Sequence, residues 1–272
     1  MYGVAKWGDM TMKQPVSMRK AMIALGLGLL GLALFSSLLF AAGKTKVFTM
    51  EGIEVNSKKV GKYTMTTITD AVVTHEDAVF TANKMDVKSE GDVHEITCTG
   101  NPVLTDPENR ITAEKVVAYS TPRQAEFVGN VKMVSTPKKQ QQEGKDEIRN
   151  KLGTEPSTTT CDRLSYNYSA KRAFAKGNVK IVQKARTLWA DEGTYDQNLE
   201  LITLKGNVRL QNEGEEELKE LKNAETATIS LQNDWIDIVA KQGSRVQMIF
   251  HVKDDDQKPA DDTAKPEEKT AK

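Results

Sequence analysis

Apolar and polar positions alternate over three similar stretches of this chain, AEFVGNVKMVS at 125–135, AFAKGNVKIVQ at 173–183 and LITLKGNVRLQ at 201–211. Side chains alternate across a strand, so a period of two predicts strands with one apolar and one polar face. Stepping by two from each glycine places Ala125, Phe127, Val131 and Met133 on the apolar side of the first, and Ala173, Ala175, Val179 and Ile181 on that of the second. Ile202, Leu204, Val208 and Leu210 follow in the third, and Ile96, Cys98, Pro102 and Leu104 in an earlier copy. Asn130, Asn178 and Asn207 fall on the opposite parity with Lys132, Lys180 and Arg209. Each glycine itself sits on the apolar parity, where it is expected to leave a gap in the packed row and to permit a bend.

Gly100-Asn101, Gly129-Asn130, Gly177-Asn178 and Gly206-Asn207 are separated by 29, 48 and 29 residues, and the long interval contains a polar insert at 136–157. Degenerate copies stand at Thr69-Asp70-Ala71-Val72 and, after a second polar insertion at 213–223, at Lys241-Gln242-Gly243-Ser244. A period in this range marks a repeat whose units bury their apolar faces only against their neighbours. A second segment of strand length precedes each Gly-Asn: FTANKMDV at 80–87, ITAEKVVA at 111–118, TTCDRLSY at 159–166, LWADEGTY at 188–195 and NAETATIS at 223–230. Short connections such as 120–123 and 196–198 make each unit a hairpin, and hairpins in series make an antiparallel meander.

The upstream segments change parity part-way. Ile111 and Ala113 are followed by Val116 and Ala118, and Leu188 and Ala190 by Gly193 and Tyr195. Such a slip predicts a β-bulge in the upstream strand. Bulges at one height in every strand crease the sheet, so the predicted fold is all-β, a repetitive antiparallel meander folded into an open β-jellyroll over residues 47–252.

The two ends differ from this pattern. Residues 21–42 are an uncharged apolar run, preceded by Arg19 and Lys20 and followed by Lys44 and Lys46. A spanning helix needs roughly 20 apolar residues, so residues 1–46 are expected to hold one N-terminal apolar helix, either a retained inner-membrane anchor or a cleaved signal. Apart from Pro259 and Pro266, residues 253–272 contain no apolar side chain larger than alanine, and they are expected to form a disordered charged tail. The chain balances 38 basic against 38 acidic residues, which removes the electrostatic footprint of a nucleic-acid binder.

Candidate chemistry is sparse. His94 and Cys98 have the one spacing that invites a metal, but four residues of strand span roughly 13 Å, too far for two ligands of one zinc ion. Asp191 and Glu192 are expected on opposite faces of a strand, which does not suit an acid and base acting on one substrate. Neither a nucleophile motif nor a phosphate-cradling glycine loop is present. No catalytic residue, metal or cofactor is therefore expected. Cys98 and Cys161 belong to strands about three steps apart, roughly 14 Å, beyond the reach of a disulfide unless the sheet folds them together across the trough, and buried free thiols are the favoured expectation. Trp189 is expected on the outer face or at the crease.

Ala190-Asp191 with Tyr195, Cys161-Asp162 with Tyr166, and the three Gly-Asn-Val copies resemble the repeated signature of the LptA/OstA family of periplasmic lipopolysaccharide-transport proteins, which has LptC as its membrane-anchored relative. The resemblance covers roughly 69–250. It implies an OstA-like jellyroll in the periplasm whose interior holds the acyl chains of lipid A. It also implies partners, namely an inner-membrane ABC exporter and other OstA-like jellyrolls joined by edge-strand addition. The inward residues of the three strands above, with Tyr166 and Tyr195, are then the lipid-binding set. The competing reading is a structural or adhesive envelope β-repeat protein in which the same residues pack a dry core.

Overall fold

A computed structural model describes residues 49–136, 156–213, 218–230 and 235–250, save 76, 92 and 168. The expected apolar helix at 21–42, the charged tail at 253–272 and most of the 136–157 insert lie outside the described residues.

The described chain is one antiparallel sheet of 16 strands. They are β1 (Thr49–Glu51), β2 (Glu54–Val60), β3 (Tyr63–His75), β4 (Ala78–Glu90), β5 (Val93–Thr99), β6 (Val103–Thr105), β7 (Asn109–Thr112) and β8 (Lys115–Tyr119). The second half holds β9 (Gln124–Ser135), β10 (Ser157–Asn167), β11 (Arg172–Gln183), β12 (Arg186–Asp196), β13 (Leu201–Asn212), β14 (Leu218–Ser230), β15 (Trp235–Ala240) and β16 (Gln247–Phe250). The long strands β3 and β4 and β9 to β14 pair in sequence order, as a meander requires, whereas the short strands β1 and β2, β5 and β6, β7 and β8, and β15 and β16 do not pair with one another.

On one side, the pairing splits β3, β4, β9 and β14 between two partner strands, and register shifts divide β10 to β13 in the same way. Residues 63–69 of β3 pair β2, whereas 72–74 pair β1. Residues 124–128 of β9 pair β8, whereas 132–135 pair β7. In β14, 224–230 pair β15 and 218–222 pair β16. The halves form two layers joined along one crease. Their inner faces merge into one apolar cluster that runs from Ile68 to Ile229, so each layer covers the other, as two facing sheets do at roughly 10 Å.

At the crease the strand carrying Gly-Asn has one residue more than its neighbours. Between the pairs Lys176↔Glu192 and Val179↔Ala190, β11 holds Gly177 and Asn178 while β12 holds Asp191 alone. The same two-against-one count sets Gly129 and Asn130 against Asp162. The extra residue is thus on the Gly-Asn strand and not on the upstream strand, where the parity slip placed it. The slip in β12 has another origin: Asp191 and Glu192 both face away from the core, between buried Ala190 and Gly193. The two carboxylates therefore do not lie on opposite faces.

One further expectation changes. Only 213–217 of the second polar insertion fall outside the described strands; Leu218 and Leu221 belong to β14 and are fully buried. Their three-residue spacing hid them among charges, and a register shift between Leu218 and Glu220 brings both inward. RVQMIFHV at 245–252 reads as a final strand from its sequence, and the described strand β16 begins within it at Gln247. The degenerate copies do stand at the crease: Asp70 and Asn223 take φ of +51° and +61°, and the Lys241 amide donates to the Asn223 carbonyl.

Candidate functional site

The sheet turns inward all fourteen residues of the expected lipid-binding set; of the inward positions in the first copy, Cys98, Pro102 and Leu104 are buried and Ile96 is half-buried. Each of the fourteen is between 0 and 3% exposed. Their registers form rows running across the strands. One row on the first layer reads Ala125, Tyr166, Ala173, Tyr195, Ile202, and the next reads Phe127, Leu164, Ala175, Gly193, Leu204. A tyrosine thus stands between small residues in the first row, which lets large side chains interdigitate with the facing layer at interior density. The second layer contributes Met133, Ile181 and Leu210 to one row, joined by Thr159 and Leu188, with Val131, Val179 and Val208 nearer the crease.

Sequence reasoning missed a buried polar rim at the far end of the second layer. Asn109, Ser135, Ser157, Thr159, Gln183 and Asn212 are all less than 9% exposed. The signal was present: Ser135, Gln183 and Asn212 continue the inward parity of Met133, Ile181 and Leu210. Among the described residues, the hydroxyl oxygen of Thr159 and the amide oxygen of Asn109 have no hydrogen-bond partner. Hydrogen-bonding atoms left unmatched in an apolar interior are destabilising, so this rim is the polar boundary of the interior. The opposite end is closed differently. Asp196 accepts from Arg172 Nε at 2.6 Å and from the backbone amides of Asn198 and Leu199. Burial alone would raise its carboxyl, but these bonds prevail and hold it below the usual carboxylate range.

The crease carries a repeated polar pair. The side-chain amide of Asn178 donates to Asp162 at 3.0 Å, that of Asn207 to Asp191 at 2.8 Å, and that of Asn130 to Glu114 at 2.5 Å. The acid of one strand lies over the glycine of the next, since a Cβ added at Gly129, Gly177 or Gly206 would collide with Glu114, Asp162 or Asp191. Those glycines are half-buried on the outer side of the bend, so they leave no gap in the inner row; positive φ at glycine and asparagine turns both residues out of the pleat.

The remaining candidates fall apart as sites. Cys98 and Cys161 are buried free thiols, each pushed up to about 12, chiefly by burial. The His94 ring shares a hydrogen bond with Ser89, while Cys98 faces the core. Trp189 is half-exposed on the outer face between Lys180 and Arg209.

The sheet is open. β1 and β2 end it on one side and β15 and β16 on the other, with no pairing between these edges among the described residues. Both edges expose apolar side chains, Val55 at 59% and Val239 at 51%.

No protein-family model and no curated protein matches the chain. Among solved structures it is similar to LptH, the LptA-homologous periplasmic component of the lipopolysaccharide transport device from Pseudomonas aeruginosa. The two are 11% identical, the TM-score is 0.28, and the match covers 74% of this chain and 99% of that one.

Proposed function

We propose that this chain is a lipid-binding transport protein of the periplasm that moves lipopolysaccharide between the two membranes, holding acyl chains between the two layers of its creased sheet. The observation that carries the reading is the continuous apolar inner face of an open sheet, bounded by free edges on both sides. In a closed barrel every strand is tied to two neighbours, whereas here the layers are joined along the crease and can part at the opposite mouth. Entry of a chain requires that parting, because the lining residues are at most 3% exposed when the layers meet. The free edges suit strand addition by other jellyrolls or by an inner-membrane exporter. Ala190-Asp191 with Tyr195, its variant Cys161-Asp162 with Tyr166, and the three Gly-Asn-Val copies support the same assignment. Residues 21–42 act in it as an inner-membrane anchor or as an export signal.

The close packing of the inner residues favours the second reading, an envelope repeat protein with a dry core. Photo-crosslinking in intact cells separates the two. A crosslinker in place of Phe127 or Leu204 is expected to capture lipopolysaccharide, and one in place of outward Lys132 is not. Absence of lipid adducts at both inner positions, or equal capture at Lys132, refutes the transport reading.

A further inference from the structure

On the outer face of the second layer, next to the crease, a trench of about 760 Å³ runs across β10 to β14. Its floor is the backbone at Val179, Ala190, Val208 and Ala224. One wall is the crease row Asn178, Asp191, Asn207 and Asn223; the other is the outward row Thr160, Lys180, Trp189, Arg209 and Lys222, with Lys241 at the end. The outward row is fixed by register, since Thr160 pairs Lys180, Lys180 pairs Trp189 and Trp189 pairs Arg209. Five strands at ~4.8 Å spacing make the trench roughly 19 Å long.

Its charge is one-sided. Lys180, Arg209, Lys222 and Lys241 face a single carboxylate, Asp191, which already accepts from Asn207. Lys222 is paired with Glu220, but among the described residues Lys180, Arg209 and Lys241 have no acidic partner. Lys180 Nζ and Arg209 Cζ instead sit 6.0 Å and 4.7 Å from the Trp189 ring centre. An exposed cation gains less from the face of an indole than from a hydrogen bond to an anion. Both cations are therefore placed to leave the ring for an anion.

We infer that this trench is a binding site for a phosphorylated saccharide. Phosphate engages Arg209 and Lys180, for which guanidinium and ammonium donors are suited. The sugar lies along a strip bordered by an indole, amides and a hydroxyl, which supply an apolar face and hydrogen-bonding groups together. The whole chain has no net charge, so this patch selects a short anionic ligand and not a long polyanion. The site is on the outer face and does not depend on what the interior holds.

The test uses the full-length chain with Trp7→Phe and Trp235→Phe, leaving Trp189 as reporter. Glucose-1-phosphate is expected to change Trp189 emission saturably, and neutral glucose is not. Arg209→Gln and Lys180→Gln each weaken the response roughly tenfold or more, added salt weakens it, and Lys58→Gln on distant β2 leaves it unchanged. Circular dichroism verifies that each variant is folded. A response that survives both trench substitutions, or no saturable response, overturns the site. Equal binding of inorganic phosphate or of a tetraglutamate peptide overturns its assignment to saccharide.

Discussion

Replacing Gly206 with alanine tests whether the crease is built as the registers indicate. Gly206 has φ of +73°, and a Cβ there would stand 2.8 Å from both Cβ and Cγ of Asp191. A left-handed conformation costs an L-residue about 1–2 kcal/mol, and overpacking typically costs ~1–3 kcal/mol. Asp191 cannot swing away freely, because it holds the Asn207 amide at 2.8 Å across the bulge. The expected loss is therefore ~2–5 kcal/mol, a large part of the ~5–15 kcal/mol that stabilises an ordinary domain. Asp191→Ala alone removes one exposed hydrogen bond and is expected to cost ~0.5–1.5 kcal/mol. The double variant removes the collision with the Asp191 carboxyl but keeps the 2.8 Å approach of its Cβ and the strained backbone, so its cost falls short of the sum of the single costs by ~0.5–1.5 kcal/mol. Urea unfolding followed by circular dichroism and tryptophan emission measures all four proteins. A Gly206→Ala variant within ~0.5 kcal/mol of the parent, or strict additivity in the cycle, would refute the account of the crease.

Two further expectations concern buried groups. The raised Cys98 and Cys161 thiols should resist an aromatic disulfide reagent near about pH 8 in the folded protein and react in urea. Unfolded thiols ionise from about 9 while the folded ones stay protonated to about 12. Stability therefore falls as pH rises through that window; fast labelling of the native protein would contradict this. Thr159→Val keeps the shape of the side chain and removes a buried hydroxyl without a partner, so the urea midpoint should rise by the equivalent of ~1 kcal/mol or more. A lowered midpoint would mean that this hydroxyl makes a bond in solution.

The strands were legible because burial on one face imposes a period of two, and the recurrence of Gly-Asn at the same phase disclosed that each hairpin is cut to one pattern. The inward residues named from that parity, Ala125 through Leu210 with Tyr166 and Tyr195, are buried, whereas Ile96 of the first copy is only half-buried. Parity failed where the backbone leaves the pleat. A slip between Ala190 and Gly193 says that two strands differ by one residue, but only their pairing shows that the extra residue belongs to the Gly-Asn strand. Leu218 and Leu221 were masked by charged neighbours for the same reason, since a bulge changes which spacing faces inward.

The chain's local pattern thus determined that there would be a meander, which face would be apolar, and where it would bend. Tertiary structure alone decided which residues meet. The partner of Asn178 is Asp162, sixteen residues earlier, because a register sets them side by side. Trp189 lies between Lys180 and Arg209 because three strands align at that height, and the layers close on each other because every strand bends at the same crease. Spacing along a chain fixes the direction of a side chain within its own strand; the hydrogen-bonded alignment of separate strands fixes its neighbours, and a site is made of neighbours.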